Sequence, residues 1–249
     1  LSLWKIPVSM ASRHPFVFSV CGVAVLIAVA AAIWGLRDRR GIVYPDRERF
    51  PVAGIDVSSH NGEINFMEVA REGVDFVYIK ATEGATFKDR RFVDNYRKAR
   101  EAGLKVGAYH FFRFDTPGYM QGLNFLNSLE NREIDLPLAI DIEEWTNPVT
   151  QSTRIVLSRL HEMIDHLESH GYRVMLYTNK NGYRRFVKGH FDAYPLWICS
   201  LGEEPDAMPW TIWQSTHNGT VRGITHPVDI NAFNGSAEQW REWARGDTQ

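Results

Sequence analysis

Eight short runs rich in β-branched and aromatic residues (52–58, 75–80, 105–112, 136–143, 172–178, 195–200, 210–215 and 228–231) are spaced along the chain, and the segments between them change character part-way. Between the earlier runs, apolar residues recur at helical spacing: Phe92, Tyr96, Ala99 and Ala102, then Ile155, Leu160, Ile164 and Leu167 with one irregular step. Gly103 and Gly171 stand just past these two segments, where a helix-terminating glycine belongs. Alternation of strand and helix predicts parallel strands joined by right-handed crossovers. After the fifth run only 181–188 has the pattern of a short helix, and the links 201–209 and 216–227 are rich in Gly, Pro, Asn and His. Five βα units followed by three further strands predict an α/β fold, a modified TIM-like barrel, because eight strands close around a filled interior. An open doubly wound sheet is the competing architecture. It calls for a glycine-rich phosphate turn after an early strand, and neither GxGxxG nor a Walker sequence is present.

The N-terminal part follows another pattern. Residues 16–36, FVFSVCGVAVLIAVAAAIWGL, carry no formal charge. A helix of that length reaches about 31 Å, enough to cross the hydrocarbon core of a bilayer. The expected organisation is a tail over 1–15, one transmembrane helix or signal anchor over 16–36, a charged linker over 37–50 and the barrel domain over 51–249. A buried core helix would be shorter and would carry a polar stripe. A cleaved signal peptide is the other reading: Ala28-Val29-Ala30 fits a cleavage site, but apolar residues continue past it through Trp34. Arg37, Arg39 and Arg40 outnumber the Lys and Arg before the span, which by itself would hold the domain in the cytoplasm.

Composition narrows the function. With 28 Lys+Arg against 30 Asp+Glu, the formal charge is -2, so the chain lacks the basic footprint of a nucleic-acid binder. Cys21 falls inside the apolar run and Cys199 inside the domain, so no disulfide framework holds the fold. No paired Cys/His spacing marks a zinc site, and no cofactor motif is present.

In a barrel of this kind, chemistry sits at the C-terminal ends of the strands, and the acids of this chain fall there. Asp56 ends the first run, Asp141 and Glu143 the fourth, and Asp229 the eighth. Strand side chains alternate, so Asp141 and Glu143 share a face while Ile142 turns toward the helices. In a closed barrel the first and eighth strands are neighbours, which would set Asp56 beside Asp229. Crowded carboxylates cannot all ionise cheaply, so at least one pKa rises. One protonated acid with ionised partners is what glycoside cleavage requires. Helix caps and surface ion pairs are the plain alternative for these acids, and a divalent cation site is another, although no HxH or HExxH pattern supports a transition metal. Tyr78, Tyr109, Phe111, Tyr177, Trp197 and Trp213 lie on or near strand ends, where they either stack on sugar rings or pack the core. Lys80 shares parity with Tyr78 and would hold a carboxylate or acetamido oxygen, or neutralise an acid. His60 and His110 are acid–base or scaffold residues.

The segments GIDVSSHNG (54–62), FVYIKATEG (76–84), GAYHFF (107–112), LAIDIEEW (138–145), LYTN (176–179), PLWI (195–198), TIWQ (211–214) and VDINAF (228–233) occur in that order. Taken together they resemble glycoside hydrolase family 25, the lysozyme-like N-acetylmuramidases. The resemblance implies a barrel of five βα units and three further strands. It also implies hydrolysis of the β-1,4 bond between N-acetylmuramic acid and N-acetylglucosamine in peptidoglycan. By the same resemblance Glu143 is the general acid, Asp141 orients the reacting acetamido group, and Asp56 and Asp229 are the two further active-site aspartates. Lys80, Tyr109, Phe111, Tyr177 and Trp197 would bind the glycan. Ser59-His60-Asn61 departs mildly from the family's usual residues, which bears on sugar contacts there and not on Asp56.

The expected partners are peptidoglycan strands and, through 16–36, a lipid bilayer, with the protein a monomer. Peptidoglycan lies outside the cytoplasmic membrane. The expected location is therefore the bacterial inner membrane, single-pass, with the domain facing the periplasm or wall, or secreted if the N-terminal segment is cleaved. A non-catalytic peptidoglycan-binding module on the same barrel is the alternative function.

Overall fold

The computed structural model describes residues 44–246 except 149 and 207. The apolar run 16–36, and with it the membrane-span reading, lies outside the described residues. Among those described, no helix is long and apolar enough to cross a membrane.

In chain order the elements are β1 (Ala53–Val57), α1 (Phe66–Arg71), β2 (Phe76–Glu83), β3 (Phe87–Lys88), α2 (Phe92–Glu101), β4 (Lys105–Phe111), α3 (Gly118–Leu129), β5 (Leu138–Asp141), α4 (Thr153–Ser169), β6 (Val174–Asn179), β7 (Leu196–Cys199), β8 (Ile212–Gly219), β9 (Val228–Phe233) and α5 (Ala237–Arg245). A short helical segment over 180–187, π-wound in its second part, follows β6 where the periodicity placed it. Gly103 and Gly171 take the left-handed backbone, φ 79° and 82°, just past α2 and α4.

Eight strands close the barrel. β1, β2, β4, β5, β6, β7 and β8 run parallel in that order, and β9 returns antiparallel between β8 and β1. Closure through β1–β2 and β1–β9 excludes the open doubly wound sheet. The ninth strand, β3, is a two-residue hairpin partner of β2 outside the barrel. The reversal of β9 corrects one detail of the sequence reading: Asp229 stands at the beginning of its strand, not at the end. It still reaches the same end of the barrel as the other acids, because an antiparallel strand begins where its neighbours finish.

Alternation sorts the side chains into two apolar layers. Ile55, Val57, Val77, Ile79, Val106, Leu138, Ile140, Leu176 and Ile198 face outward, packed with buried residues of the helices. On α4 that buried face is Val156, Leu160, Met163, Ile164 and Leu167. Ile155, expected in the apolar row, is 43% exposed because Val156 takes the position one turn before Leu160. Inside the barrel lie Phe76, Tyr78, Ala139, Met175, Tyr177 and Trp197. Small residues on the neighbouring strands make room for the rings. A Cβ on Gly54 would sit 2.3 Å from the Phe76 ring, and one on Gly107 2.3 Å from the Tyr78 ring.

The end away from the acids is closed by α5, whose Trp240 ring lies 4.8 Å from Phe76 and 5.2 Å from Phe233. Residues 44–50, the end of the segment read as a linker, lie against the barrel wall. Phe50 is buried with Trp213, and the Tyr44 hydroxyl accepts a bond from the Thr220 N–H at 2.9 Å.

Candidate active site

Asp56, Asp141, Glu143 and Asp229 converge on one cavity of about 480 Å3 at the barrel mouth. Asp56 and Asp229 face each other as register partners across β1 and β9. Asp141 ends β5, and the chain beyond it is pinned on both sides. The Ile142 N–H donates to Tyr177 O (2.8 Å), and Thr178 Oγ1 donates to Ile142 O (2.6 Å). Asn147 Nδ2 donates to Glu143 O (2.7 Å) and to Phe112 O (2.9 Å). The strand alternation therefore persists past the last ladder bond, so Glu143 faces the cavity and Ile142 the outer core.

Asp56 is the most heavily bonded of the four. Its Oδ2 accepts from Gln214 Nε2 (2.9 Å) and Asn231 Nδ2 (2.8 Å). Those amides are oriented in turn by the Tyr177 hydroxyl, which donates to Gln214 Oε1 (2.7 Å), and by Trp197 Nε1, which donates to Asn231 Oδ1 (2.8 Å). Burial, then the charge of Asp229, raises the Asp56 pKa well above the usual carboxylate range. Asp141 is also raised well above it, first by burial and then by Glu143, with Lys80 opposing. Its buried Oδ1 has no hydrogen-bond partner among the described residues. Glu143 is raised by burial and by the charge of Asp229. Asn179, whose Nδ2 donates to Oε1 at 3.2 Å, and His217 pull the other way. The four acids therefore occupy unequal environments, and Glu143 has a free face toward the cavity with a pKa shifted toward neutrality.

Of the proposed glycan-binding residues, Tyr109, Tyr177 and Trp197 line the cavity. Lys80 and Phe111 do not. Strand β2 runs on to Glu83 with an irregularity between Lys80 and Thr82, and the Lys80 ammonium pairs with Glu83 (2.9 Å) above the Phe111 ring. Two other aromatic candidates belong to the scaffold. Tyr78 is fully buried with its hydroxyl donating to Pro137 O (3.0 Å), and Trp213 faces outward, its Nε1 donating to Ser200 O (2.9 Å). His110 is a scaffold residue as well. It is buried between Thr82 (2.7 Å) and Gln121 (3.0 Å), and desolvation pushes its pKa down to about 4. His60 sits in the exposed turn after β1 with Nδ1 3.0 Å from Ser58 Oγ. Among the described residues, no group of three or more His, Cys, Asp and Glu is arranged to hold a metal ion.

The family model of glycosyl hydrolases family 25 matches residues 55–224, which include Asp56, Asp141 and Glu143 and stop short of Asp229. The chain belongs to glycosyl hydrolase family 25. As a member of family 25 it is 31% identical to the protein YegX of Escherichia coli K12, over 90% of this chain and 84% of that protein. It is 35% identical to lysozyme M1 of Streptomyces globisporus, over 75% of this chain and 69% of the relative. The structure of a family 25 glycosyl hydrolase from Bacillus anthracis superposes with a TM-score of 0.76 at 32% identity, covering 82% of this chain and 97% of that one.

Three further residues line the cavity of this family 25 chain without having been singled out by sequence: Trp145, Gln214 and His217. Trp145 is 76% exposed at the lip. His217 Nδ1 lies 2.8 Å from Asp229 Oδ1, and that contact, before a weaker one with Cys199, raises the imidazole pKa well above its usual value. Gln214 and Trp145 stood inside recognisable segments with no role attached. Nothing in its neighbourhood of sequence marked His217.

Proposed function

We propose that the domain hydrolyses the β-1,4 bond between N-acetylmuramic acid and N-acetylglucosamine in peptidoglycan, with Glu143 as general acid and Asp141 assisting. The observation that carries this reading is the gathering of four carboxyl groups, from three distant stretches of the chain, in one cavity where burial raises the pKa of Glu143. Relatives named as lysozyme and N,O-diacetylmuramidase support the substrate class.

Glu143, protonated in its partly desolvated position, gives its proton to the glycosidic oxygen as the bond to the anomeric carbon breaks. Asp141 lines the cavity beside Glu143, where its carboxyl can accept the N–H of the substrate's 2-acetamido group. Holding that amide would turn its carbonyl oxygen toward the anomeric carbon, which favours attack by the acetamido oxygen over direct attack by water. Asp56 is fixed by Gln214 and Asn231 and shapes the floor, while Asp229 sets His217. Trp145 and Tyr109 supply flat surfaces for sugar rings, while the nearly buried Tyr177 and Trp197 form the floor beneath them.

The test is turnover of purified cell-wall material. Glu143→Gln is expected to lower the rate at least about 10^3-fold with an unchanged fold by circular dichroism, and Asp141→Asn at least about 10^2-fold. Wild-type turnover in Glu143→Gln would overturn the acid assignment. Wall binding by the wild-type protein without release of reducing ends would instead identify a non-catalytic binding module. The substrate also implies that the domain faces the periplasm or the wall, anchored through 16–36 or released by cleavage there.

A further inference from the structure

His217 lies between two groups. Its Nδ1 is held by Asp229 at 2.8 Å, and its Nε2 is 3.7 Å from Cys199 Sγ, within hydrogen-bonding range for sulfur. Carboxylate, imidazole and thiol thus stand in the order by which proteins make a cysteine nucleophilic. The muramidase reading uses none of this thiol chemistry. Cys199, the last residue of β7, has no disulfide partner among the described residues. Cys199 is buried, 8% exposed, and is one of the residues lining a second, more open cavity of about 390 Å3, with Glu143, Asn179, Lys180 and His217. Glu143 and His217 are common to both cavities, so a group attached to Cys199 would project into space beside the proton donor. The backbone N–H groups of Ser200 and Gly202 are bonded to Gln214 O and Ser215 O. No oxyanion site is offered by them, so acyl transfer is disfavoured and exchange at sulfur remains.

We propose that Cys199 is a modification site: a thiol activated by His217 and Asp229 that forms a mixed disulfide with small disulfides and thereby blocks the cleft reversibly. The step is thiol–disulfide exchange. The Cys199 thiol, 3.7 Å from His217 Nε2, gives up its proton toward the imidazole or water as its sulfur attacks one sulfur of the reagent. A new S–S bond forms as the reagent's S–S bond breaks. The Cys199 sulfur is oxidised, the departing sulfur is reduced, and it leaves as a thiolate that takes a proton from the imidazolium or from water. A reducing thiol reverses the exchange. The blocking of hydrolysis rests on the catalytic reading of the cleft, whereas the reactivity of the thiol does not.

The experiment treats the full chain with 2-hydroxyethyl disulfide and follows two readouts: adduct on the Cys199 peptide by mass spectrometry, and wall hydrolysis. The expected result is an adduct at Cys199 forming at least about 10-fold faster than in His217→Gln, with hydrolysis falling in step and returning on addition of dithiothreitol. Cys199→Ala is expected to keep its hydrolysis and to be insensitive to the reagent. Reaction of Cys199 no faster than that of free cysteine would overturn the activated thiol, and that rate is read even if the protein hydrolyses nothing. Full modification with hydrolysis intact, or inhibition that persists in Cys199→Ala, would overturn the block.

Discussion

A carboxyl group can donate a proton only while it holds one, so Glu143 serves as an acid below its pKa and fails above it. Burial lifts that pKa, and the Asn179 amide, bonding the ionised form, pulls it back. Hydrolysis should therefore decline as pH rises through the Glu143 pKa. Asn179→Ser keeps an oxygen that can cap the following turn and is too short to reach Glu143. Removing the donor raises the Glu143 pKa further, so the alkaline limb of kcat against pH is expected to move to higher pH. A limb that stays in place or moves down would show that another group controls it. At this scale the acids were readable in the sequence, because an acid at the end of an apolar strand has few structural reasons to be there. Their supporting residues were not. Gln214 on β8 and Asn231 on β9 reach Asp56 because the barrel closes there onto β1, and an amide inside a strand reads as ordinary until its partner strand is known.

At the scale of elements, the strands were legible and one cap was not. The eight barrel runs came through because each combines β-branched or aromatic residues with clear turn signals at its ends. β3 was too short for any periodicity. α5 was missed because its charged residues hide a narrow apolar stripe, although Ser236 and Gln239 form a capping box at its start. That helix closes the barrel with Trp240, which is 6% exposed and packed on Phe76 and Phe233. Truncating a buried Trp leaves a cavity as well as losing burial. Trp240→Ala is expected to cost about 3–5 kcal/mol in urea unfolding. A loss under about 1 kcal/mol would mean that α5 is not part of the cooperative barrel. The acids lie at the opposite end, so hydrolysis by the folded fraction should persist.

For the whole molecule, location and reaction depend on each other. The arginines after residue 36 favour a cytoplasmic domain, whereas a wall substrate requires an external one. A reporter fused after Gln249 is expected to be active outside the cytoplasmic membrane, and activity only in the cytoplasm would contradict the placement. The enclosing barrel was legible as a count of strands. The single reversal that lets Asp229 begin its strand at the mouth was not, since strand direction leaves little trace in composition. What remains to be tested most directly is the bond that is cut. Peptidoglycan digested by the protein, reduced with borohydride and analysed by mass spectrometry, is predicted to carry its new reduced ends on N-acetylmuramic acid. New ends on N-acetylglucosamine, or no new ends at all, would contradict the account.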